Sequence, residues 1–286
     1  MDIAPIFLDS LKGSMTITLI ILVMMIIVEI LVLKYQDKLL NFAKKNRFLG
    51  YIMSAFFGII PGCTGTFIMD SLYMTGLLGF GGIIAVMIAT SGDEAFLLFS
   101  MAANGEIAWS TIILLTSTLF LLGIIGGFVA DRFRKKINMK FCTKCEIVHH
   151  HHHEFKLKHF FKEHVTNHIL KKHIWQIFLW LFAAIFIINM VQSNVELNFL
   201  SDSMFVVLLI ASLVAVLPIS GPNIFLVVMF SNGLVPFSVL LANSIIQDGH
   251  GLLPIIGFSI EDAVKIKIFN FVFGFTIGLV LLIFGL

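Results

Sequence analysis

Charge is what this chain has least of: only 13% of its 286 residues are Asp, Glu, Lys or Arg, about half the quarter that a soluble domain carries. Cysteine is scarce as well. The three present, Cys63, Cys142 and Cys145, cannot make a disulfide framework. No phosphate loop of the form Gly, four residues, Gly-Lys and Ser or Thr occurs, so nucleotide hydrolysis by this chain is not expected. What is abundant is apolar: 58% hydrophobic residues with 30 Phe, and a mean hydropathy of +1.00. These proportions exclude a water-soluble enzyme, a disordered chain and a nucleic-acid binder. They define a polytopic membrane protein whose first partner is the lipid bilayer.

The apolar run Ser14–Leu33 has about the 20 residues that a spanning helix needs. Basic, polar sequence follows it instead of a small-residue cleavage site, so it is expected to stay as a first helix. The chain also resembles itself. A shift of 157 residues lays Pro61, Gly76, Leu77, Phe80, Ala85, Ile88 and Gly92 on identical residues from Pro218 to Gly249, seven identities in 32 positions. Each half opens with a full apolar helix (Ser14–Leu33; Ile174–Val191) and closes with another (Ile107–Ala130; Ile268–Leu286). Between them lie short apolar pieces interrupted at Pro61–Gly65 and Ser91–Glu94, and again at Pro218–Asn223 and Gln247–Gly251. Gly and Pro fix such backbone breaks. The expected domains are residues 1–131 as first transmembrane repeat, 132–172 as a polar loop, and 173–286 as second repeat.

Of the 19 Lys and Arg, 18 lie in Lys34–Arg47, Arg132–Lys172 and Lys265–Lys267. Cytoplasmic loops collect Lys and Arg, so these three segments are expected in the cytoplasm and both termini outside. Five crossings per half satisfy this, and so do three crossings plus one re-entrant hairpin. Either number is odd, so the second half enters the membrane opposite to the first. The expected fold is an all-α membrane protein of two inverted five-segment repeats with broken or re-entrant helices, about ten transmembrane segments in all.

Non-helical backbone at membrane depth must be buried or line a cavity, and matched breaks in two halves point to a binding site near the midplane. The first break offers the Thr64 hydroxyl; its partner offers Ser220 and Asn223. Five acids, Glu29, Asp70, Asp93, Glu94 and Asp248, fall within apolar stretches, whereas Lys and Arg do not. Ionisable residues at that depth are functional hypotheses by default. The 157-residue shift sets Asp93 against His250 and Ser91 against Asp248, and a two-fold axis would draw these groups together. Oxygen ligands with one imidazole suit Mn²⁺, and also Zn²⁺, Co²⁺ or Ni²⁺. The same carboxylates suit exchanged protons. Asp93 and Asp248 fit equally the role of helix caps, and Cys63, with Ser220 opposite, fits a need for a small residue.

The polar middle holds Cys142-Thr-Lys-Cys145 and the run His149, His150, His151, His152 and His153. Thiolate and imidazole ligands at such spacing suit Zn²⁺ and similar ions. An accessory metal-capturing loop and a plain hydrophilic linker both fit.

At PGCTGTFIMDSLYMTGLLGFGG, ATSGDEAFLL and GPNIFLVVMFSNGLVPFSVLLANSIIQDGHGLLP the sequence resembles the family of proposed manganese transporters. That family is also described as ten-helix heavy-metal exporters and is grouped by name with arsenic-permease-like proteins. The resemblance covers nearly the whole chain. It implies an integral inner-membrane transporter, and its motifs fall on Ser91, Asp93 and Glu94 and on Asp248 and His250. The combined expectation is a secondary transporter, not an enzyme, exporting a divalent metal ion, manganese before others, in exchange for protons. It needs no permanently bound cofactor, and a homodimer is compatible with it. Two alternatives stand: an anion or small-solute permease built on half-helix N-termini and Asn223, and a membrane enzyme using Asp93, Asp248 and His250 as an acid–base set.

Overall fold

Every backbone amide and carbonyl in hydrocarbon must be paired internally, which leaves a chain this apolar little choice but helix. The computed structural model describes residues 3–43, 47–74, 76–137, 174–192, 204–218 and 220–285, and all regular structure among them is helical. The first half comprises α1 (Ile3–Ala43), α2 (Arg47–Ile59), α3 (Thr64–Met74), α4 (Phe80–Ala89), α5 (Glu94–Ala103) and α6 (Trp109–Ile137). The second comprises α7 (Trp175–Gln192), α8 (Met204–Val214), α9 (Gly221–Ser231), α10 (Phe237–Ile246), α11 (Leu253–Phe258) and α12 (Ile260–Ile283). Helix α1 extends past both expected ends and α6 runs on to Ile137. Apolarity marks where a helix meets lipid, not where its hydrogen-bonded ladder stops.

The pieces between the long helices have 13 residues or fewer, too short to cross a bilayer alone. Contacts fix their directions. The Asp131 carboxylate, near the end of α6, accepts from Tyr51 Oη (2.6 Å) at the start of α2 and from the Gly81 amide (3.0 Å) at the start of α4. Gly58, near the end of α2, lies against Val86 and Ala89 near the end of α4. Thus α2 and α4 run in the same direction, α6 runs back, and α3 returns between them. The pair α2/α3 is an antiparallel hairpin, and α4/α5 is one segment broken in the middle, almost wholly buried over Phe80–Ala103. With α4/α5 and α10/α11 counted once each, the described residues make ten apolar segments.

The halves match element by element. A shift of 157 carries the bounds of α3 onto α9 and of α4 onto α10. It also carries Gly76 and Gly92 (φ +73° and +50°) onto Gly233 and Gly249 (φ +70° and +51°). Only glycine adopts that region without strain, so the breaks are conformationally alike. The closing helices need a different shift. Gly123 abuts Ala85 and Ala89 as Gly274 abuts Ala242 and Ile246, and Gly127 meets Gly81 and Ala85 as Gly278 meets Ser238 and Ala242. Those pairs are 151 apart. The second half is six residues shorter between its break and its closing helix, where α11 has 6 residues to the 10 of α5 and the connection that follows is shorter too. Small residues four apart let backbones approach closely, as packing in lipid requires.

Candidate metal-ion site

The breaks converge. The Gly62 amide donates to the Gly92 carbonyl at 2.9 Å, tying the first two together. Helix α5 starts after Asp93 and α9 after Ser220, yet neither side chain caps its own helix. They turn to each other instead: Ser220 Oγ donates to Asp93 Oδ2 at 3.4 Å. His250 Nδ1 lies 3.4 Å from the same hydroxyl and 3.7 Å from the same carboxylate oxygen. The point equidistant from these three atoms is about 2.0 Å from each, which is the length of bonds from imidazole and carboxylate to a transition-metal ion, roughly 2.0–2.2 Å.

Asp93 and His250 are equivalent positions in the two halves, and they touch. So are Thr90 and Gln247, where Gln247 Nε2 donates to the Thr90 carbonyl at 3.2 Å. Around them the polar groups are nearly all buried. Asn223 hydrogen-bonds the Glu94 carboxyl, and Thr66 Oγ1 pairs with Thr90 Oγ1 at 3.1 Å. Gly251 has no side chain because a Cβ there would stand 2.7 Å from Thr66 Cγ2. Asp93, Ser220 and His250 line a shallow recess together with Gly221, Ile224, Ile177 and Trp180. The Asp93 side chain is 2% exposed and that of His250 18%. Gly221 is needed there, since its Cβ would fall 2.1 Å from the Trp180 ring.

Asp248 has a basic partner that the sequence reading did not foresee. It stands in an ion pair with Lys267 (Oδ2 to Nζ, 2.6 Å), and Asn270 Nδ2 donates to Oδ1 at 3.1 Å. Lys267 Nζ donates also to the carbonyls of Ile246 (2.9 Å) and Ala215 (3.1 Å). The reading that no basic residue lies inside the apolar stretches is therefore corrected at Lys267. Lys265 pairs at the surface with Glu261, but Lys267 is 8% exposed. The one sequence signal was a Lys and an Asn three apart, Lys267 and Asn270, where the helix turns from its polar first turns to its apolar body. Thr64 only opens α3, half-buried, and Thr66 takes the interior place. Ser91 is buried, and its carbonyl accepts from the Ala95 amide at 3.3 Å. Cys63 is buried with its thiol hydrogen-bonded to the His250 backbone.

Among the described residues, no three His, Cys, Asp or Glu stand close enough together to hold one ion; the third corner of the triangle is Ser220. Cys142, Cys145 and His149–His153 lie outside the described residues, as does the Glu29 side chain.

Broken helices around buried polar groups, within a shell of long apolar helices, define a multi-pass membrane protein in class. The family model described as "Putative, 10TM heavy-metal exporter" matches residues 7–204 and 180–284, and the chain belongs to that family. Among curated proteins and among solved structures there is no significant match.

Proposed function

We propose that the chain is a secondary transporter that moves a divalent transition-metal ion, manganese before others, out of the cytoplasm in exchange for protons. The observation that carries this reading is the Asp93–Ser220–His250 triangle, whose centre is at coordination distance from two oxygens and one imidazole nitrogen. Such a set suits Mn²⁺ and its neighbours. Glu94, buried beside Asp93 and bonded by Asn223, supplies a further carboxylate for the ion or for a counter-moving proton.

The repeats are read as inverted. Tyr73 Oη, at the end of α3, donates to Asp262 at the start of α12 (3.0 Å). In the first half the start of α6 lies at the other end from α3's terminus, because Asp131 near α6's far end meets the starts of α2 and α4. Equivalent helices α6 and α12 thus begin on opposite faces. The face shared by Asp131, Arg132, Arg134 and Lys265 is assigned to the cytoplasm of the inner membrane, with both termini outside.

The rival reading, an anion or small-solute permease, draws on the adjoining N-termini of α5 and α9, whose dipoles favour negative charge. Asp93 and Glu94 already occupy that end and would repel a further anion. Flux of Mn²⁺, Zn²⁺, Co²⁺ and Ni²⁺ into proteoliposomes under an imposed proton gradient tests the proposal. Metal uptake that falls sharply in Ser220→Ala and His250→Ala is expected; anion uptake without metal uptake would overturn it.

A further inference from the structure

The triangle has a counterpart within the repeat. The 157-residue shift that exchanges Asp93 and His250 also sets Cys63 against Ser220. Exchanging the halves therefore turns Asp93, Ser220 and His250 into His250, Cys63 and Asp93. Only the third corner changes, from hydroxyl to thiol.

Cys63 is placed for that role. It immediately precedes α3 as Ser220 immediately precedes α9. It is a free, buried thiol bonded to the backbone of His250, with the charges of Asp93, Glu94 and Asp70 acting on it. Asp70 supplies an independent pointer to a cation. It is 0% exposed, and neither of its carboxylate oxygens has a hydrogen-bond partner among the described residues. A buried carboxyl without donors is costly, and a cation entering the first half, where the Asp70 charge is felt at Cys63, would relieve it.

Two nearly equivalent halves have two nearly equivalent asymmetric arrangements, and a carrier that alternates passes between them with each half adopting the other's conformation. We infer that Cys63 is the third ligand of the alternate state, so that the ion exchanges the Ser220 oxygen for the Cys63 sulfur as the carrier turns over. This rests on the metal-carrier reading above and adds its selectivity. Mn²⁺ prefers oxygen ligands and Zn²⁺ accepts thiolate readily. The oxygen-rich state binds Mn²⁺ and the sulfur state lets it go. Zn²⁺ is held in the sulfur state and competes with Mn²⁺ instead of following it.

The test uses the full chain carrying Cys142→Ser, Cys145→Ser and His149→Gln through His153→Gln, which leaves Cys63 as its single thiol. Co²⁺ is the spectroscopic probe. A thiolate-to-cobalt charge-transfer band is expected in this chain and not after Cys63→Ser, and Ser220→Cys added to Cys63→Ser should restore it. In proteoliposomes, Zn²⁺ should inhibit Mn²⁺ uptake about tenfold less effectively once Cys63 is Ser. The band in the single-thiol chain does not depend on whether Cys63→Ser folds. Co²⁺ bound without a thiolate band, or unchanged Zn²⁺ inhibition in Cys63→Ser, overturns the Cys63 assignment and leaves the triangle standing. Failure of Co²⁺, Mn²⁺ and Zn²⁺ all to bind overturns the metal reading and this one with it.

Discussion

Two aspartates that look alike in sequence have opposite surroundings, and their substitution should separate them. Asp93 occupies the cap position of α5 without making a cap bond, and Asn caps as well as Asp. Asp93→Asn is therefore expected to leave thermal stability nearly unchanged and to lower metal flux strongly; wild-type flux would remove Asp93 from the site. Asp248 holds Lys267. Asp248→Asn leaves a buried ammonium without its counter-charge, a loss of roughly 3–5 kcal/mol, read as a lowered melting temperature in detergent. Adding Lys267→Met should recover most of that loss, because an apolar side chain of similar volume has no charge to desolvate. If the double variant is no more stable than Asp248→Asn, the pair is not what holds α10 to α12. Both acids were legible as buried by their apolar context. Which one faced a cation of the protein's own was not, because the lysine comes from another helix.

At the scale of elements, close approach of backbones holds the broken crossings in place. A Cβ on Gly127 would stand 2.4 Å from the Gly81 carbonyl oxygen, and one on Gly274 2.6 Å from Ile246 Cγ1. Gly127→Ala should cost about 1–3 kcal/mol by forcing α6 off α4. Gly257, exposed in α11 with open space around its Cα, is the contrast: Gly257→Ala should be neutral or stabilising by about 0.5–1 kcal/mol. Melting temperatures of the two variants in one detergent decide it, and similar losses in both would refute the packing argument. The breaks were readable because Gly and Pro act locally. The hairpin form of α2/α3 was left open, since a piece of 13 residues and one of 11 are equally compatible with turning back or going on.

For the whole molecule, the bonds from Asp131 to Tyr51 and Gly81 and from Tyr73 to Asp262 gather the ends of α3 and α6 and the starts of α2, α4 and α12 on one face. A cysteine introduced near Glu196 should accordingly be labelled from outside intact cells while native Cys142 and Cys145 are protected. Labelling of the central loop from outside would reverse the assignment. The loop lies in sequence between the two repeats and not within a break. Replacing Cys142, Cys145 and His149–His153 together should weaken its metal binding while substantial transport persists; flux abolished as completely as by Asp93→Asn would make the loop part of the pathway.

Sequence alone was enough for the class and for the matched breaks, because lipid obliges each segment to satisfy its own backbone and glycine and proline mark where it does not. The match of α3 with α9 and of α4 with α10 was already present in seven identities. The site was different. That Asp93, Ser220 and His250 share one triangle, and that Asp248 pairs with Lys267, follows from how four breaks pack against each other. Lys265 and Lys267 show why such outcomes are tertiary. Two residues apart on a helix, they point about 200° apart around its axis, so one stays with Glu261 at the surface and the other enters the core. Composition and periodicity assign both to one basic segment; only the presence of the Asp248 carboxylate and two helix-end carbonyls, brought there by α8 and α10, makes burial of the second charge tolerable.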